Sequence, residues 1–298
     1  MSLFPTPTPI LLSISAQVAD VELLASDRVD TVVHVTPANP AKRGDVTAAE
    51  RTLVDHVEDR ITITGPRKFS VLGPSDAIAI TVEVPTGSRI HTELAYGGIR
   101  ARGRFGDCRA KTAYGEISFE RIGTAELRTG GGDITVGEVA GDAQLVAGDG
   151  TVRVDLIDGS AVVKSSNGNL VIGEVSGELD ATTATGSVEV HFPGTVTAVK
   201  TAYGKVRIGD APSGSLRLES SYGEIEVGVP MGTAAWLDVS SGHGLVRSEL
   251  NADDAPTASE RTVEVRARTK YGDILIRRPL TRRPGDRRDT RTIDRKDT

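Results

Sequence analysis

Between Tyr96 and Ile276 one phrase recurs ten times: a glycine, a variable residue, then a branched or long aliphatic residue. The glycines are Gly97, Gly115, Gly132, Gly150, Gly168, Gly186, Gly204, Gly223, Gly244 and Gly272. Up to Gly204 they lie 17 or 18 residues apart, and the last three intervals lengthen to 19, 21 and 28. Counting each glycine as zero, position +2 is always aliphatic, from Ile99 and Ile117 through Val152 to Ile274. Position +4 is mostly apolar too, as in Phe119, Val136, Ile172 and Ile276, while +1 and +3 are mostly polar or small. Before the glycine, position −5 carries Leu127, Leu145, Val163 and Leu218, and −3 carries a small Thr, Ser or Ala in nearly every unit. Period-two alternation is the mark of a strand with one buried face. A second glycine commonly follows eight to ten residues on, so each unit reads strand, turn, strand, turn. Glycine suits such turns because it reaches positive φ without steric cost.

A two-strand unit of this length cannot bury its own apolar face, and stacking such units produces one continuous core. The expected fold is therefore all-β, a right-handed single-stranded β-solenoid-like stack of about ten 18-residue coils with an N-terminal β-rich cap. Serial hairpins are the rival arrangement, because Asp149–Gly150 and Asn167–Gly168 fit hairpin turns. The recurring Thr/Ser position favours the in-register stack. The expected organisation is a β-rich capping region over 1–90, a repeat domain over 91–277 and a disordered charged tail over 278–298. In the first region, 9–15, 20–25, 30–36, 59–64 and 76–84 read as strands. Thr47 to Glu50 has the spacing of a capping box, which places a short helix near 47–56. The one long excursion in the repeats falls at Asn251–Ala258.

Composition narrows the chemistry. Aromatic residues are only 4%, and glycine is abundant at 33 residues, which fits thin β-repeats filled by aliphatics. Cys108 is the sole cysteine, so it forms no intrachain disulfide and no cysteine zinc site, and it reads as a packing residue. The histidines, His34, His56, His91, His191 and His243, lack metal-ligand spacing. The single Gly130–Asp133 run does not recur as a calcium-binding repeat would. No phosphate-binding glycine loop occurs, and no cofactor is expected. The apolar run Ile10–Leu12 is too short to span a bilayer, and no Lys or Arg precedes Arg28, so the expected location is the cytoplasm. The chain carries a net charge of −6, yet the tail from Arg277 holds nine basic and four acidic residues. Such asymmetry marks either a solvated terminus or an arm for an anionic surface. No specific nucleic-acid binding is expected, because the tail lacks base-stacking aromatics.

All five tyrosines, Tyr96, Tyr114, Tyr203, Tyr222 and Tyr271, sit at position −1, directly before a turn glycine. In-register coils would stack Tyr96 on Tyr114 and Tyr203 on Tyr222. The plainer reading is a ladder that stabilises the turns. The functional reading is a pair of aromatic platforms that grip a protein partner, tyrosine being enriched in interface hot spots.

The opening Phe4–Pro5–Thr6–Pro7, the Ala19–Leu23 and Thr31–Pro37 strands and the recurring Thr-Ala-Tyr-Gly phrase resemble the β-strand repeat proteins called "putative adhesin", domain-of-unknown-function family number 4097. The resemblance covers roughly residues 4–277. It implies a β-rich, solenoid-like fold and brings no catalytic residue with it. Some relatives are similar to surface or envelope-stress proteins with membrane segments, from which this chain departs. The function expected is a non-catalytic scaffold or binding module. The alternative is a carbohydrate-active β-helix enzyme, whose paired carboxylates would have to come from residues such as Glu116 and Glu224, six coils apart at position +1.

Overall fold

A computed structural model describes residues 1–66, 76–250 and 261–278. Each glycine-marked unit divides into two strands that lie on two facing sheets. The strand before the glycine, such as Ala161–Asn167, belongs to a front sheet, and the strand after it, such as Leu170–Val175, to a back sheet. Each pairs in parallel with its equivalents in the neighbouring units at matching repeat positions. Ala161 faces Ala143 and Leu179, and Leu170 faces Val152 and Val188. The chain is thus a flattened β-solenoid rather than a series of hairpins. Asp149–Gly150 and Asn167–Gly168 turn the chain from one sheet to the other.

The alternation produces this because positions −5, +2 and +4 all point between the sheets. Leu145, Val163, Val152, Ile172 and Val190 are at most 1% exposed. Position −3 also faces inward, and its hydroxyl is partnered in a repeating way. Thr129 Oγ1 donates to the Gly115 carbonyl (3.0 Å), Thr183 to Gly168 (3.2 Å) and Thr201 to Gly186 (3.1 Å). Each hydroxyl thereby ties one coil to the turn of the coil below. The turn itself admits only glycine. Gly132 has φ +129°, and a Cβ there would lie 2.4 Å from the Gly115 carbonyl oxygen.

Coil order departs from sequence order at both ends. Strand Leu11–Ser26 combines the two segments expected at 9–15 and 20–25, and it runs through both sheets as one coil. It lies between the coil formed by Arg60–Thr64 and Ile78–Pro85 and the coil formed by Arg89–Tyr96 and Ile99–Arg104. Residues 1–90 therefore contribute two coils besides the ten marked by glycines. At the other end, Arg261–Tyr271 and Ile274–Arg277 insert beside Gly214–Tyr222 and Ile225–Gly228. The earlier pair, Thr233–His243 and Val246–Ser248, is displaced outward to become the terminal coil.

The N-terminal end is closed by antiparallel strands. Asp30–Pro37 pairs with Ile78–Pro85, Ser2–Pro5 with Asp30–Pro37, and Leu53–Val57 with Arg60–Thr64. The helix spans Arg43–Glu50 rather than 47–56. Thr47 is interior to it and bonds back to the Arg43 carbonyl (2.9 Å), so it does not cap the start. Buried Asp45 anchors the helix instead, accepting from the backbone N–H of Ala77 (3.0 Å) and of Asn39 (3.2 Å) and pairing with Lys42 (2.8 Å). The Lys42 ammonium holds the Asp45 carboxyl below its ordinary range, reinforced by those N–H donors.

Arg277 and Arg278 belong to the folded body, contrary to an arm that begins at Arg277. Arg277 ends the last back-sheet strand and donates from Nε to Glu226 (2.6 Å). Arg278 donates to the Pro230 carbonyl (2.7 Å). The expected excursion at Asn251–Ala258 and the charged tail beyond Arg278 lie outside the described residues.

Candidate functional site

Position −1 forms one row along the corner where the front sheet turns into the back. In spatial order it reads Tyr96, Tyr114, Gly131, Asp149, Asn167, Thr185, Tyr203, Tyr222, Tyr271 and His243. Parallel, in-register pairing sets equivalent residues about 4.8 Å apart, close to the spacing of stacked rings. Tyr96 and Tyr114 stack at 5.4 Å between centroids, with planes 10° apart. Tyr203 and Tyr222 stack at 5.0 Å and 6°. The structure thus brings together the two pairs legible in the sequence.

It also extends the second pair. The displaced coil order puts Tyr271 directly on Tyr222, at 5.0 Å and 2°. His243, the −1 residue of the terminal coil, closes the stack on Tyr271 at 4.7 Å and 12°. His243 is the member missed from sequence. Its place before Gly244 was the available signal. The two platforms are five coil steps apart, roughly 24 Å. Between them the row is polar, with Asn167 Nδ2 donating to Asp149 Oδ1 (2.7 Å).

The five tyrosines are 47–60% exposed. Beside the four-ring stack lies a groove of about 630 Å³ on the outer face of the front sheet. Its floor is small and polar, with Ser221, Ser240 and Gly242, and its wall is Tyr271 and His243. Three cations line it. Lys200 is 3.9 Å from Glu219, and Arg268 is 2.6 Å from Asp238, whereas Lys270 has no ion-pair partner among the described residues. A wider groove of about 950 Å³ crosses the same sheet at the starts of earlier strands. Among its charged lining residues, Arg109 and Glu126 pair at 2.7 Å, and Asp107, Asp142, Glu178 and Asp180 add further carboxylates.

The remaining candidates are dispersed. Glu116 pairs with Arg100 (3.6 Å) and Glu224 with Lys205 (3.4 Å), each on the surface. Burial pushes Glu226 up, but Lys205 and Arg277 outweigh it and hold the carboxyl below its ordinary range. Cys108 is 3% exposed, and burial raises its thiol pKa, so it packs and stays protonated. Among the described residues no three His, Cys, Asp or Glu side chains converge as metal ligands, and no helix is long and apolar enough to cross a membrane.

The family described as Toastrack DUF4097 matches residues 11–278. No curated protein matches the chain. Among solved structures, it is similar to a "putative adhesin" from Bacteroides fragilis NCTC 9343, at 12% identity over 92% of this chain and 95% of that one, with a TM-score of 0.36. A "putative adhesin" from Parabacteroides merdae ATCC 43184 matches at 11% identity, over 92% and 94%, with a TM-score of 0.35. A "putative cell adhesion protein" from Clostridium sporogenes ATCC 15579 matches at 11% identity, over 93% and 98%, with a TM-score of 0.25.

Proposed function

This chain belongs to the Toastrack DUF4097 family, and from that premise we propose that it is a non-catalytic binding module whose working face is the aromatic corner near its C-terminal end. The observation that carries this reading is the half-exposed stack Tyr203–Tyr222–Tyr271–His243 beside the groove that holds Lys270. Stacked rings are rigid and lose little conformational entropy when a partner covers them, and tyrosine contributes strongly to such contacts. The Lys270 ammonium, without an ion-pair partner among the described residues, adds a preference for an acidic partner surface. Continuous in-register parallel pairing supports the row of rings from coil to coil, the arrangement expected of a scaffold rather than of a cleft that closes over substrate.

The carbohydrate-active alternative finds less support. A glycosidase general acid needs a carboxyl held above its ordinary range and a second carboxylate about 5–10 Å away. Among the described residues the three carboxyls displaced, Asp45, Glu120 and Glu226, all move down. Photo-crosslinking from position 270, followed by identification of the captured protein, tests the binding role. The Tyr222→Ser/Tyr271→Ser variant should fold and lose that partner. Reducing-end release from a polysaccharide panel by the wild type, abolished by changing a surface carboxyl, would overturn the non-catalytic reading.

A further inference from the structure

The two ends of the rod are finished differently. At the N-terminal end the back sheet stops in a four-residue strand, Ser2–Pro5, that carries a proline, and the front sheet in a five-residue strand, Leu53–Val57. Short edges with proline resist further pairing. At the C-terminal end the front sheet stops in Thr233–His243, an eleven-residue strand with no Lys and no Pro. Among the described residues this strand pairs only with Arg261–Tyr271, and Val246–Ser248 pairs only with Ile274–Arg277. Among the described residues both outer edges therefore present unpaired backbone N–H and C=O groups.

Among the described residues the core is open at this end as well. Val246 occupies a position at which Ile225 and Ile274 are 0% exposed, yet it is itself 45% exposed. Leu237 is only partly buried, whereas its equivalents Leu216 and Val265 are fully buried. These side chains have the orientation of core residues, and among the described residues no further coil covers them.

We propose that this end docks a second copy of the chain, end to end, about a two-fold axis. Among the described residues the opposite end offers no matching long edge, which disfavours head-to-tail growth and leaves a self-complementary contact. The charges fit that symmetry. Antiparallel pairing of the terminal back strand with its own copy, centred on Ser248, sets Arg247 against Glu249 of the second copy, twice. Neither residue has an ion-pair partner among the described residues, and Val246 falls opposite Leu250. The front edge strand, at eleven residues, is roughly 36 Å long, which gives a second copy an extended backbone edge to pair with.

The test is the molar mass of the full chain by light scattering and sedimentation across micromolar concentrations. A mass of twice 31.4 kDa is expected. Arg247→Glu and Glu249→Arg, each alone, should shift the chain to monomer by at least tenfold in dissociation constant. The double swap should restore the dimer, and thermal midpoints should change little because both positions are exposed. A wild type that stays monomeric overturns the proposal, as does a dimer indifferent to either single swap. If truncation after Arg278 turns a monomeric chain into a dimer, the tail covers this end and the second copy does not.

Discussion

The Ser241 hydroxyl donates to the Gly272 carbonyl at 2.8 Å, so an earlier coil rests on one made later in the chain. Thr269, in turn, donates to the Gly223 carbonyl at 3.0 Å, which places the final coil between its two predecessors in sequence. The backbone N–H of Leu245 reports the same order, donating to Asp273 Oδ1 at 2.8 Å. The last strands thus act as a wedge that holds the terminal coil to the rod.

The wedge should be indispensable to the coil outside it. A chain ending at Leu250 removes the only strands with which Thr233–His243 and Val246–Ser248 pair among the described residues. Amide exchange in Thr233–His243 should then approach the unprotected rate, while Ala161–Asn167 keeps its protection. Retained protection at Thr233–His243 would mean that the coil can dock directly on Gly214–Tyr222, against the inserted order.

The assignment of faces is tested by two substitutions. Val152 is 0% exposed, and Val152→Asp buries a charge without a partner. The loss should exceed about 4 kcal/mol. Glu116→Lys removes a surface pair with Arg100, 3.6 Å away, and should cost at most about 1 kcal/mol. Comparable losses in denaturant melts would contradict the inward direction of position +2.

The corner rings also stabilise the rod. Tyr203→Ala/Tyr222→Ala removes the Tyr203–Tyr222 stack and the contact of Tyr222 with Tyr271. At about 0.5–1.5 kcal/mol per aromatic pair, the double variant should melt several degrees lower and still fold. An unchanged midpoint would assign these rings wholly to binding.

The parts of this fold visible in the sequence are those set by local repetition. Aliphatics at +2 and +4 fix which face is buried, and the small residue at −3 fixes the register. Coil order is different in kind, because Ser241 and Thr269 belong to the same repeat class and either hydroxyl could meet either carbonyl. Only the long interval from Gly244 to Gly272 hinted at an exchange. Strand Leu11–Ser26 was obscured because it bends between the sheets near Ala19 without a glycine. Gly97 supplies the clearance there, since a Cβ on it would lie 1.8 Å from the Ala19 carbonyl oxygen. The helix was misplaced because Thr47 and Glu50 have capping-box spacing, while the group that anchors it is the buried carboxylate of Asp45.

Acid should weaken the junction between the last back-sheet strand and the body. Lys205 and Arg277 both contact Glu226 and hold its folded-state pKa below the unfolded value. A depressed carboxyl pKa adds stability that is fully present above the unfolded value and is lost as pH falls through the folded one. Chain stability should therefore decline below the ordinary glutamate range, and Glu226→Gln should flatten that decline. A variant with the wild-type slope of stability against pH would remove Glu226 from the account.

Buried threonines separate into two classes with opposite expectations. Thr183 donates to the Gly168 carbonyl, and Thr183→Val leaves that acceptor without its side-chain donor, so it should cost about 1 kcal/mol. Thr92 and Thr197 are 0% exposed, and their hydroxyls have no hydrogen-bond partner among the described residues. A buried hydroxyl without a partner carries its desolvation cost uncompensated. Valine has nearly the same shape, keeps the β-branch that strands favour and removes that cost. Thr92→Val and Thr197→Val should therefore be neutral or stabilising by up to about 1–2 kcal/mol. Urea melts of the three variants decide the matter through their midpoints. If all three lose stability equally, ordered water or a group outside the described residues partners Thr92 and Thr197, and the hydroxyl ladder is no longer confined to position −3.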